Sequence, residues 1–206
     1  MYALVESGTI TKYFSYPKGF TLGELQYPAD IFMKWSVEEK EAIGIYEVVF
    51  DDNNKKNEQW YINTNQTFAF ADGVVTASYD TAIAKSHADS LWTQQDSDDG
   101  NLPSDKSVGD VRGEGLKTTL IRTLKSQVAG ILKDTDWYIT RNTEKSTAIP
   151  SSISNHRDAV RTKQAAMEAQ ITGAADTAAL ETLYTFTEQE NGSVTRPLGE
   201  LPVLES

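Results

Sequence analysis

The chain has 206 residues, of which 30 are acidic and 19 basic, giving a formal net charge of −11, and it holds no cysteine. That charge balance argues against a general nucleic-acid binder or a protein of anionic membrane surfaces, because both need clustered cations to displace counterions. The missing thiols exclude disulfides, cysteine-ligated zinc, iron–sulfur clusters and thiol nucleophiles together.

Taken in chain order, the first eighty residues read mostly as short strands. Tyr2–Glu6 and Thr9–Tyr13 flank the turn Ser7-Gly8, a plausible hairpin, and the segment lacks the basic and apolar regions of a signal peptide. Residues 14–34 carry Pro17, Gly19, Gly23 and Pro28 and read as loop. Ser36 and Glu39 have the spacing of a capping box, so a helix of about two turns starts there and ends at Gly44. Ile45–Phe50 is the best strand, rich in β-branched and aromatic residues. A polar turn over Asp51–Asn57 precedes two further strands, Glu58–Asn63 and Thr67–Ala71. Asp72-Gly73 then links the latter to Val74–Tyr79 as a hairpin, because both turn positions need positive φ. Residues 45–79 therefore suggest an antiparallel meander. Asp80 is placed to cap a short helix over 81–92, with Ile83, His87 and Leu91 on one face.

Residues 93–115 hold acids, four glycines and no aromatic, which is the composition of a linker. Beyond them, Leu116, Leu120, Leu124, Val128, Ile131 and Leu132 repeat at helical spacing and predict a helix from about 116 to 134. Trp137, Tyr138 and Ile139 follow, then a polar stretch closed by Pro150. A second helix runs from Ser151 or Ser152 to Gly173, with Ile153, Val160, Met167 and Ile171 on its apolar face and Arg157, Lys163 and Glu168 on its wet side. Asp176 caps a last short helix with Leu180 and Leu183 facing inward. Residues 186–206 read as an extended tail. No run approaches the roughly 18 apolar residues of a membrane span. The expected fold class is α+β: a small antiparallel β-meander with a short helix, a linker, then a helical hairpin and an extended tail. The corresponding segments are 1–92, 93–115, 116–185 and 186–206.

No pattern in the chain compels catalysis. His87 and His156 lie on opposite sides of the expected linker, and Ser86 and Asp89 are too near His87 in sequence to face it on a helix. Asp96, Asp98 and Gly100 resemble the start of a calcium loop, but the glycine falls fifth and Ser107 occupies the twelfth position, where glutamate belongs. No metal, cofactor or small-molecule substrate is therefore expected. The aromatics Trp35, Trp60, Tyr61, Trp92, Trp137 and Tyr138 are numerous for a chain with so small an apolar fraction. Trp60, Phe68 and Phe70 suit sheet packing. Trp137 and Tyr138, at the bend between two helices, suit either a core staple or an interface anchor.

The stretch Ile131–Arg161 resembles a segment near the C-termini of many tailed-bacteriophage tail proteins. Its elements are a leading helix, Thr135-Asp136-Trp137, Pro150, and His156-Arg157 followed by Val160-Arg161. The opening hairpin and the segment Trp35–Val49 look like the corresponding parts of the same proteins, so about half the chain is covered. These relatives are usually described as tail fibre assembly or tail assembly chaperone-like. The resemblance implies a non-enzymatic tail component of the virion, made in the host bacterial cytoplasm, whose partners are other tail or tail-fibre proteins or a second copy. The alternative it implies is a transient fibre assembly chaperone. A glycan-directed enzyme is a third reading, disfavoured because a catalytic carboxylate pair would bury costly charge in a thin core. Partner contacts are expected at Trp137, Tyr138, Leu120, Leu124, Val128, Val160 and Met167.

Overall fold

The computed structural model describes residues 1–204. The fold is α+β, strand-rich in its first part and helical in its second. It divides into two compact units, residues 1–83 and residues 84 onward.

In the first unit, β1 (Tyr2–Glu6) and β2 (Thr9–Phe14) form the expected hairpin. Its turn, Ser7-Gly8, has φ of 52° and 80°, the left-handed pair that a two-residue connection needs. The loop expected over 14–34 is in part regular. β3 (Phe20–Leu22) and β4 (Leu25–Tyr27) pair as a small hairpin, and α1 (Ile31–Lys34) follows. The turn residues seen in the sequence there close a hairpin rather than mark irregular chain. α2 (Val37–Glu41) carries the capping box: Ser36 Oγ accepts from Glu39 N–H at 3.2 Å, and Glu39 Oε2 accepts from Ser36 N–H at 2.8 Å.

The sheet itself corrects the meander. β5 (Ile45–Asp51) is followed by the two-residue β6 (Tyr61–Ile62), shorter than the strand expected over 58–63, then by β7 (Thr67–Ala71) and β8 (Val74–Ser78). The strand order is β2-β1-β5-β8-β7, and β8 runs parallel to β5. A meander would have put β6 beside β5, with β7 and β8 following, but β6 lies outside this sheet. Instead β8, whose Val75 and Ala77 are fully buried, takes the inner position, while β7 brings the bulkier, half-buried Phe68 and Phe70 to the edge. One face of the sheet packs Leu4 and Ile45 against Phe14, Phe20, Ile31 and Phe32. The other gathers Ala3, Val5, Val48, Val75 and Ala77 under Tyr46, Phe68 and Phe70. Tyr13 on β2 meets Phe68 on β7, ring centroids 4.7 Å apart, so the sheet rolls until its two edge strands approach.

The second unit begins where a helix over 81–92 was expected. That segment is extended instead, with β9 (Ile83–Ala84) at the boundary and β10 (Ser90–Leu91) beyond. The four-residue spacing of Ile83, His87 and Leu91 is coincidental, since both Ile83 and Leu91 are exposed. The expected linker is folded too. α3 (Gln94–Asp98) opens on a second capping box, Thr93 with Asp96, and β11 (Val111–Gly113) pairs with β10. Arg112 ties the loop together, 3.0 Å from Asp96 and stacked over the Trp92 ring at 4.8 Å.

Four helices complete the unit: α4 (Leu116–Lys133), α5 (Asp136–Lys145), α6 (Ser151–Gly173) and α7 (Thr177–Tyr184). The polar stretch after Trp137 is thus largely helical. Asp176 caps α7 as expected, its Oδ1 accepting from Ala179 N–H at 2.8 Å. The extended tail holds a small hairpin of β12 (Thr187–Glu188) and β13 (Val194–Thr195), then returns to bury Leu198. No described helix is long and apolar enough to cross a membrane.

Candidate interaction site

α4 and α6 run antiparallel, joined by Lys117 Nζ to the Thr172 carbonyl at 2.8 Å and by Lys125 to Glu168 at 3.7 Å. Leu124 and Val128 of α4, with Val160 and Met167 of α6, are buried. The apolar stripe expected to meet another protein is therefore taken up inside the chain. Leu120 is half-buried on the same helix. Of the seven residues expected at a partner surface, Trp137 is the one left broadly exposed, at 50%, with Tyr138 half-buried beside it.

The N-terminus of α4 is fixed by Asp89. Its Oδ1 accepts from Gly115 N–H at 2.7 Å and its Oδ2 from the Thr118 hydroxyl at 2.9 Å. The Gly115 amide, then the Thr118 hydroxyl, hold the Asp89 carboxyl below its usual range. Gly115 lies so close to the Ala88 backbone that a Cβ would collide with the carbonyl. Asp89 is therefore a helix cap, not a partner of His87.

The other end of α4 is built by Arg157, which was expected on the wet side of α6 and is buried instead. Its guanidinium donates to the Leu132 carbonyl at 2.8 Å and to Thr135 Oγ1 at 2.6 Å, and its second terminal nitrogen pairs with Asp136 at 2.9 Å. The planar fork suits this work, since it can serve a helix-terminal carbonyl and a carboxylate at once. Thr135-Asp136 and Arg157, two parts of the sequence pattern separated by a whole helix, thus form one staple. Helical spacing already put Arg157 on the apolar face, four residues after Ile153 and three before Val160, but its charge pointed to the wet side.

The staple fixes the first turn of α5, where the aromatic pair stands. The Trp137 and Tyr138 rings lie 3.8 Å apart between centroids. Arg141, one helical turn on, stacks over Trp137 at 4.8 Å and near Tyr138 at 5.7 Å. Its Nε is shielded and finds no acceptor among the described residues. Together these side chains offer a half-open aromatic surface backed by a guanidinium, a combination frequent at the centres of protein interfaces. Among the described residues no three histidine, aspartate or glutamate side chains gather as metal ligands. The carboxylate of Asp96 is engaged by Thr93 and Arg112.

No protein family, curated protein or solved structure matches the chain.

Proposed function

We propose that the protein is a non-enzymatic bacteriophage tail component that docks onto another tail or tail-fibre protein through the start of α5. The observation that carries this reading is the Trp137–Tyr138–Arg141 stack, held in place by the buried Arg157 staple. An anchor whose backbone is already fixed loses less freedom on association. The guanidinium behind it suits a partner surface that presents carbonyl or carboxylate acceptors. The resemblance of Ile131–Arg161 to tail proteins supports the same reading, since the stapled residues are those that carry the resemblance.

The test is mass spectrometry of purified particles of the phage that encodes the chain, followed by binding measurements. A fixed copy number per particle supports the proposal, and absence from mature particles overturns it. Absence combined with co-purification on a fibre protein in infected cells would instead mark a transient chaperone. With the partner in hand, Trp137→Ala should weaken binding by about 2 kcal/mol, as for an interface hot spot.

A further inference from the structure

A cavity of about 280 Å³ lies in the second unit between the α4–α5 corner, α6 and the segment 201–204. Its walls are mostly apolar: Ile131 on one side, and Leu201, Pro202 and their two successors as a roof. Asp134, Thr135 and His156 make one polar corner. Thr135 is already engaged, donating to the Leu132 carbonyl and accepting from Arg157.

His156 is different. The residue is 9% exposed, lines the cavity, and receives no hydrogen bond from any described residue. Its ring nitrogens are not among the sealed polar atoms, unlike Nε of Arg157 one position on, so the polar edge of the imidazole opens on the cavity. Water in the cavity can satisfy that edge, and a ligand hydroxyl that displaces it would recover the bond between apolar walls. A neutral imidazole has one acceptor and one donor nitrogen, and the Asp134 carboxylate accepts only. Acceptors outnumber donors in this corner, so it suits a hydroxyl that donates, and the apolar walls suit a hydrocarbon body.

We propose that this cavity binds an aromatic hydroxyl group: the ring lies between Ile131 and the 201–204 roof, and the O–H donates to His156. The shared chemistry covers a free phenol and a tyrosine side chain of a partner chain. An entry path is available through the roof. The roof is anchored by buried Leu198 and by the Arg196–Glu200 ion pair at 2.7 Å. Among the described residues, 201–204 make no hydrogen bond or ion pair, so apolar contact alone holds them, and Val203 is 85% exposed. This inference stands apart from the tail reading, because it uses neither Trp137 nor the resemblance.

The experiment uses the full chain and two probes of the same shape, p-cresol and toluene, followed by NMR titration. Cresol should saturate with shift changes confined to Ile131, Thr135, His156 and 201–204. It should bind about tenfold tighter than toluene, the equivalent of one hydrogen bond. A purely apolar pocket would prefer toluene, so equal or reversed affinities overturn the proposal, as does a cresol titration that fails to saturate or maps elsewhere. These arms need no variant. H156F should remove the preference for cresol. If H156F does not fold, H156Q, whose amide oxygen still accepts, should retain the preference for cresol, and loss of that preference with toluene binding unchanged overturns the proposal. N-acetyl-tyrosine amide distinguishes the sources: binding at least as tight as cresol identifies a protein side chain, and binding by cresol alone identifies a small molecule.

Discussion

In the first unit, Ser7-Gly8 and Asp72-Gly73 each close a hairpin between strands adjacent in sequence, and two apolar clusters fill the faces of one sheet. In the second, a buried apolar set that includes Leu124, Val160, Met167, Ile171 and Leu180 is joined by polar side chains that reach far along the chain. Asp89 caps a helix 26 residues away, Arg157 closes on Thr135 across 22, and the Thr177 hydroxyl donates to the Lys85 carbonyl across 92. Both units gain stability from area removed from water, and the second adds to it a few directed bonds between distant parts of the chain. Burial tolerates imperfect geometry and directed bonds do not, so the two should fail differently when perturbed.

The largest expected effect lies in the sheet. Ile45→Ala empties a fully buried position in the first cluster and should cost about 4 kcal/mol, within the usual span for such truncations. Hydrogen exchange should show the loss in β1, β5 and β8. Arg157→Ala should cost about 3 kcal/mol, because a buried and a partly buried bond to one charged donor disappear together. Its signature is loss of amide protection at the end of α4 and the start of α5, with the sheet unchanged. Equal loss in both units would break the contrast drawn above. A smaller change is Ser36→Ala, which removes one exposed cap and should cost about 1 kcal/mol, read as a shifted urea midpoint.

The smallest effect is a pH dependence. The Asp89 carboxyl is held below its ordinary value in the folded chain, so the stability it contributes is complete above that ordinary value, about pH 4. It is lost as pH falls through the lower, folded value. Asp89→Asn should therefore lower Tm most at neutral pH, and the gap from the parent should close only in strong acid. A gap independent of pH would mean that hydrogen-bond geometry, not charge, carries the cap.

What was legible in the sequence follows the same division. Turn glycines, the Ser36/Glu39 capping box and the spacing of Leu124 and Val128 are local signals, and the corresponding elements stand where they were expected. The parallel placement of β8 was not legible, because strand order depends on which strand can bury its small residues deepest. The order in 93–115 was not legible either. Thr93, Asp96 and Arg112 are ordinary polar residues until the chain brings them together. At the candidate site, Trp137 and Tyr138 drew attention by type, and the spacing of Arg157 from Ile153 and Val160 was a signal that its charge masked, while its partners Leu132, Thr135 and Asp136 and the cavity beside His156 arise only from contacts between segments.

The position of β1 has a consequence for how the chain is made. Tyr2 pairs with Glu47 on its inner side, and β5 is in turn flanked by β8. During synthesis the β1–β2 hairpin can close once Phe14 is made, but its other edge waits for the 33 further residues up to Glu47, roughly 2–7 s at ordinary elongation rates. Throughout that interval Ala3, Leu4 and Val5 present an open backbone edge to the crowded exit of the ribosome. An inner strand of the finished sheet is therefore the most vulnerable part of the nascent one, and slower translation over residues 15–50 should raise aggregation more than slowing anywhere in the helical unit.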